Sequence, residues 1–178
     1  MGNVEVELRS FIDEKKYHDL KKFLDENGKF LKQDTQITHY FDTKQDLRIQ
    51  LNNSGSKVWL KKGAIHDEAR EEIEIVCKKK DFENLKRLFE ALGFSVEIVW
   101  KRNRLVYMWE GTKMFLDYTE GYGYIIEIEK MVSADLKDKT LGVLRKKFEK
   151  LGISITKRDV FEERYEYYKN NWKSLIEV

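Results

Sequence analysis

Residues 3–12, NVEVELRSFI, alternate without a break. Val4, Val6 and Leu8 fall on one side of an extended chain, and Glu5, Glu7 and Arg9 fall on the other. A repeat of two is the signature of a β-strand, so this stretch predicts a strand with one apolar face and one charged face. The pattern returns in LRIQL (47–51), where Arg48 and Gln50 oppose Leu47, Ile49 and Leu51. It returns in REEIEIV (70–76), with Arg70, Glu72 and Glu74 against Ile73 and Ile75, and in YIIEIEKM (124–131), which carries Glu127 and Glu129. Four further segments are rich in β-formers: ITHYFD (37–42), KVWLKKG (57–63), FSVEIVWKRNRLVYMW (94–109) and TKMFLDY (112–118). Together they predict eight strands.

Four amphipathic segments separate or follow these strands. Asp13 caps a helix with the stripe Tyr17, Leu20, Phe23 and Leu24, closed by Asn27-Gly28. Asp81 opens a second, with Phe82, Leu85, Leu88, Phe89 and Leu92 before Gly93. A third starts at Ser133 or Asp135 and runs to Leu151-Gly152. The fourth lies in KRDVFEERYEYYKNNW, where Phe161, Tyr165, Tyr168 and Trp172 recur at helical spacing. Helices set between groups of antiparallel strands define an α+β fold. With 178 residues and no proline- or serine-rich linker, residues 1–178 are expected to form one domain.

Charge narrows the function. Charged residues make up 37% of the chain, yet 34 Lys and Arg against 32 Asp and Glu leave a net charge of only +2. A nucleic-acid partner is not expected without a basic excess. No apolar run approaches a membrane span, and the opening MGNVEVELRS lacks a signal-peptide core. Cys77 is the one cysteine, consistent with a reducing, cytoplasmic location and expected as a small buried residue. His18, His39 and His66 have no zinc-ligand spacing.

If helices cover the apolar strand faces, the charged faces either meet water on an open sheet or line a polar barrel. Single alternating strands favour the first. The recurrence of like-charged pairs favours the second, because adjacent like charges repel on a sheet face. Carboxylates at i and i+2 become useful around a divalent cation, and clustered Arg and Lys suit a polyphosphate. The combination points to metal-assisted phosphate chemistry.

At these residues the sequence resembles the CYTH superfamily, the triphosphate tunnel metalloenzymes, which includes class IV adenylate cyclases, thiamine triphosphatases and inorganic tripolyphosphatases. Glu5-Val6-Glu7-Leu8-Arg9 matches the family's opening Glu-x-Glu-x-Lys, with Arg for Lys. THYFDT (38–43), Arg48-Ile49-Gln50, Trp59-Leu60-Lys61-Lys62-Gly63, Arg70-x-Glu72-x-Glu74, Arg102-x-Arg104, Leu116-Asp117 and the run Gly121 to Glu129 follow in the family's order. The resemblance implies a closed eight-stranded antiparallel β-barrel, a tunnel with amphipathic helices packed outside. It implies that Glu5, Glu7, Asp117, Glu127 and Glu129 hold Mg²⁺ or Mn²⁺. Arg9, Arg48, Lys61, Arg102 and Arg104 would grip the triphosphate, with Arg70, Glu72 and Glu74 in support. Glu5, Glu7, Arg9, Glu127 and Glu129 would carry catalysis. The implied substrate is a triphosphate-bearing small molecule such as ATP, thiamine triphosphate or tripolyphosphate. Hydrolysis is the expected reaction, since it needs fewer dedicated contacts, with cyclisation of ATP to cyclic AMP and pyrophosphate, or polyphosphate binding without turnover, as the alternatives.

Three other features bear on the site. Trp100 shares a strand face with Arg102 and Arg104 and is expected at a rim or in the core. The resemblance also implies a role open to Lys157, since a basic residue near the C-terminus reaches the tunnel in some members of that family. Gln50 stands where the resemblance calls for a second cation, so Gln50→Arg is expected to tighten triphosphate binding.

Overall fold

The computed structural model describes residues 3–61 and 72–176. Eight strands and four α-helices are present: β1 (Asn3–Ile12), α1 (Glu14–Asn27), β2 (Lys29–Phe41), β3 (Asp46–Leu51), β4 (Ser56–Lys61), β5 (Glu72–Cys77), α2 (Phe82–Ala91), β6 (Val96–Trp109), β7 (Thr112–Thr119), β8 (Gly123–Ser133), α3 (Lys137–Lys150) and α4 (Arg158–Leu175). The fold is α+β, as the pattern of elements predicts. The strands form one antiparallel sheet in the order β1-β8-β7-β6-β2-β3-β4-β5. Among the described residues no ladder joins β1 to β5, the two ends of that order. The ladders among the described residues thus do not close the sheet, and the closed barrel goes beyond what they establish. No described helix is long and apolar enough to cross a membrane.

The chain divides into two compact units. One comprises Met1–Gln33 and Asn103–Tyr168, the other Asp34–Arg102 and Lys169–Val178.

In the first unit, the alternation of β1 and β8 sends Val6, Ile126 and Ile128 to one face, where α1 and α3 cover them with Leu20, Leu24, Leu144 and Phe148. The Asp13 side chain accepts from the Lys16 amide at 2.7 Å and starts α1, which fixes where the apolar stripe meets the sheet. The segment after α3 docks on β1: the Phe11 amide donates to Thr156 Oγ1 at 3.0 Å, and the Thr156 amide to Ser10 Oγ at 3.0 Å. Gly121 and Gly123, at φ 71° and 112°, form the β7–β8 turn in the left-handed region that glycine tolerates.

In the second unit, Phe41, Ile49 and Phe82 form a small core beneath α2, which packs on β3 and β4. Three expectations change here. β2 begins at Lys29, well before Ile37. Ile73 and Ile75 are not covered: α2 lies over β3 and β4, and on the terminal strand β5 Ile75 remains 58% exposed. Cys77, at the end of that strand, is only half-buried, for the same reason.

Candidate functional site

The antiparallel register of the first unit assembles its polar face. Glu7 stands directly opposite Glu129 across the β1–β8 ladder, and Arg9 opposite Glu127. On the other side of β8, Lys113 faces Glu129 and Phe115 faces Glu127. Directly opposed carboxylates repel, so Glu7 and Glu129 work against the stability of the sheet. Burial and repulsion from Glu127, with further repulsion from Glu5 and Glu129, push the Glu7 carboxyl up to about 7 despite the attraction of Arg9. The Glu7 side chain is nevertheless open to water, and of the two causes like-charge crowding is the one a cation would relieve. Glu5 is exposed on the same face of β1.

Arg104 is the fixed cation of this face. Its Nε donates to Asp117 Oδ1 at 2.7 Å and its Nη2 to Asp117 Oδ2 at 2.6 Å, a bidentate pair. Nη2 also lies 3.5 Å from Glu127 Oε2, and the guanidinium sits 4.3 Å from the centre of the Phe115 ring. Burial opposes the charge on Arg104, but Glu127 and Asp117 outweigh it and hold its pKa above the ordinary range. Both Asp117 oxygens are engaged by Arg104, so Asp117 can serve a metal only by sharing them. Glu129 takes one ion pair from Lys113, at 3.1 Å.

The second unit holds Arg48 and Arg102, each oriented by a partner. Arg48 forms a bidentate pair with Asp46, and its guanidinium lies 4.2 Å from the Tyr40 ring centre and 5.7 Å from that of Trp59. Arg102 donates from Nε and Nη2 to Gln36 Oε1 at 2.9 and 2.6 Å. Gln36 Nε2 in turn donates to Asp34 Oδ2 at 2.9 Å, while Asp34 Oδ1 accepts from the Asn53 amide at 3.0 Å. Trp100 lies against Tyr40, with ring centres 6.3 Å apart. Glu74 is exposed and pairs with Lys57 at 2.7 Å. Lys61 stands opposite both Asp46 and Glu72 in the ladders. Arg70 lies outside the described residues. Lys157 is exposed just before α4.

Gln50 corrects the expectation drawn from it. It is 5% exposed, and its Nε2 donates to Thr38 Oγ1 at 3.0 Å. A buried amide that satisfies a buried hydroxyl is a poor place for a new cation.

The residues that sequence reasoning missed are the orienting ones: Asp46 for Arg48, and Gln36 and Asp34 for Arg102. Asp34, Gln36 and Thr38 are buried at every second position of β2. That polar alternation was the available signal. Among the described residues, no three Asp, Glu, His or Cys side chains converge into a ready-made metal site. The donor set itself, carboxylate oxygens crowded by like charge, has the chemistry of a site for a hard divalent cation.

The family model described as the CYTH domain matches residues 3–159. A protein of Methanocaldococcus jannaschii named "Putative adenylate cyclase" is 32% identical over 164 residues, covering 85% of this chain and 91% of that protein. Among solved structures, the PH1819 protein of Pyrococcus horikoshii matches with a TM-score of 0.68 at 27% identity, over 87% of this chain and 94% of the other. An adenylyl cyclase-like protein of Hippeastrum, described as having a dominant triphosphatase activity, matches at 22% identity with a TM-score of 0.65, over 91% and 96% of the two chains. At that identity it speaks for the fold alone.

Proposed function

The chain belongs to the CYTH domain family, and from that premise we propose that it is a divalent-cation-dependent enzyme that hydrolyses a triphosphate-bearing small molecule. The observation that carries this reading is the polar face of the first unit. Glu7 and Glu129 are held opposite each other, with Glu127 adjacent, beside an arginine clamped in place by Asp117. A chain gains nothing from directly opposed carboxylates unless something positive joins them. Glu5, Glu7, Asp117, Glu127 and Glu129 would hold Mg²⁺ or Mn²⁺, which fits their oxygen chemistry. When bound, the cation supplies charge neutralisation to the phosphate oxygens.

The chain's own cations do the rest. Arg9, Arg48, Lys61, Arg102 and Arg104 are assigned to the phosphate oxygens, through charge-assisted hydrogen bonds. Arg48, Arg102 and Arg104 are each oriented by a protein partner before substrate arrives, which reduces the ordering lost on binding. Glu72, Glu74 and Arg70 are assigned supporting roles. In hydrolysis the water oxygen bonds to the terminal phosphorus as the bridging P–O bond breaks. The diphosphate end departs, and the water's proton passes to a carboxylate. The closed, helix-clad barrel belongs to the same proposal.

A second reading is conversion of ATP to cyclic AMP and pyrophosphate, with the ribose 3′-hydroxyl in the place of water. The name of the M. jannaschii relative favours it. A panel of tripolyphosphate, thiamine triphosphate and ATP, each with Mg²⁺ or Mn²⁺, separates the readings. Released orthophosphate supports hydrolysis, and cyclic AMP supports cyclisation. Bound but unchanged triphosphate would overturn both in favour of a binding module.

A further inference from the structure

Arg9 departs from the family's lysine, and its surroundings in the first unit are built for a planar cation. Its guanidinium carbon lies 4.7 Å from the centre of the Phe161 ring. Phe161 stacks on Phe11, with centroids 4.5 Å apart and planes inclined by 29°. Phe11 in turn carries the Arg164 guanidinium 4.2 Å from its centre. β1 supplies Arg9 and Phe11 at i and i+2, on one strand face, and α4 supplies Phe161 and Arg164 at i and i+3, on one helix face. The contacts therefore run guanidinium, ring, ring, guanidinium, with the two elements contributing alternately. Phe161 is 6% exposed, so the ring is itself held.

We propose that Phe161 is a positioning residue for Arg9: it supports the face of the guanidinium and thereby fixes the direction in which its edge N–H groups meet a phosphate. The inference rests on the triphosphate reading above. Stacking uses the face of a guanidinium, while hydrogen bonds leave from its edge in the plane, so one group does both at once. A lysine ammonium has no face to support. In this chain, arginine at position 9 and phenylalanine at position 161 form one functional unit: the ring would also attract a lysine ammonium, but it could not set the direction of N–H groups that lie in no plane.

The test is a double-mutant cycle on the full chain, read as the dissociation constant for inorganic tripolyphosphate with Mg²⁺ by calorimetry, with melting temperature recorded for each variant. Phe161→Leu is expected to weaken binding about 3–5-fold when Arg9 is present, the range corresponding to a partly exposed cation–π contact. Phe161→Tyr, which keeps the ring, is expected to bind like the unmodified chain. In an Arg9→Lys background, Phe161→Leu is expected to change affinity by less than about twofold. Phe161→Met, which keeps bulk without a ring, should repeat the Leu result and serves if the Leu variant does not fold. Equal losses with Arg9 present and in the Arg9→Lys background, or no loss in either, would overturn the inference. Failure of the unmodified chain to bind tripolyphosphate would instead overturn the functional reading, and this inference with it.

Discussion

Replacing Glu7 by glutamine should make the protein more stable, and only in one pH range. Burial, together with repulsion from Glu127, holds the folded-state carboxyl near 7, against an ordinary value of 4.5. A group whose folded pKa is raised leaves stability intact below its unfolded pKa and removes it as pH rises through the folded one. Full burial would make that loss about 3 kcal/mol above pH 7. Glu7 is open to water, and screening reduces the figure to ~1–2 kcal/mol. Glutamine keeps the shape and removes the charge. For a chain of this size, melting in EDTA at pH 8 should rise by roughly 3–6 °C. At pH 4.5, where the folded carboxyl is already protonated, the two proteins should differ by under about 1 °C. Adding Mg²⁺ at pH 8 should raise the melting temperature of the unmodified protein and narrow the gap, because the cation relieves the same repulsion. An equal gain at both pH values, or no gain at pH 8, would refute the argument that Glu7 is a strained carboxylate.

Three further outcomes follow from the same geometry. Asp117→Asn leaves Arg104 largely buried without its bidentate partner and should cost about 3 kcal/mol, read as a fall of roughly 6–12 °C in melting temperature; an unchanged melt would contradict it. Gln50→Arg should lower the melting temperature without tightening tripolyphosphate binding, since it buries a cation where Gln50 now satisfies Thr38; tighter binding at unchanged stability would restore the expectation from sequence. Burial, with a contribution from Lys86, lowers the His39 pKa to about 4, so this imidazole supports stability above its unfolded value of 6.5 and loses that support as pH falls toward 4. His39→Leu should flatten this acid limb by as much as ~3 kcal/mol, and an acid limb that kept its slope would show that another group sets it.

Much of the fold was legible because strand alternation and helix stripes are local. β1, β8, α1 and α3 fall where Val6, Leu20, Ile126 and Leu144 place them. β2 was half hidden because its inward residues Asp34, Gln36 and Thr38 are polar, and buried polar alternation reads as loop to an argument built on apolar periodicity. Ile73 and Ile75 were misjudged because which strand ends the sheet is set by topology, not by composition. That Glu5 and Glu7 share one strand face, and Glu127 and Glu129 another, was readable from parity. The pairings were not: that Glu7 opposes Glu129, or that Arg104 clamps Asp117, depends on ladder register between distant segments. The pairing of Asp46 with Arg48 is local, two residues apart on the same strand face, and so lies within reach of the sequence.

Cation-dependent turnover tests the central claim most directly. Tripolyphosphate hydrolysis followed by phosphorus NMR should require Mg²⁺ or Mn²⁺, stop in excess EDTA, and fall by orders of magnitude in Glu127→Gln, which removes a charged oxygen ligand from a hard cation's shell. Full turnover in EDTA, or undiminished turnover in Glu127→Gln, would contradict the account.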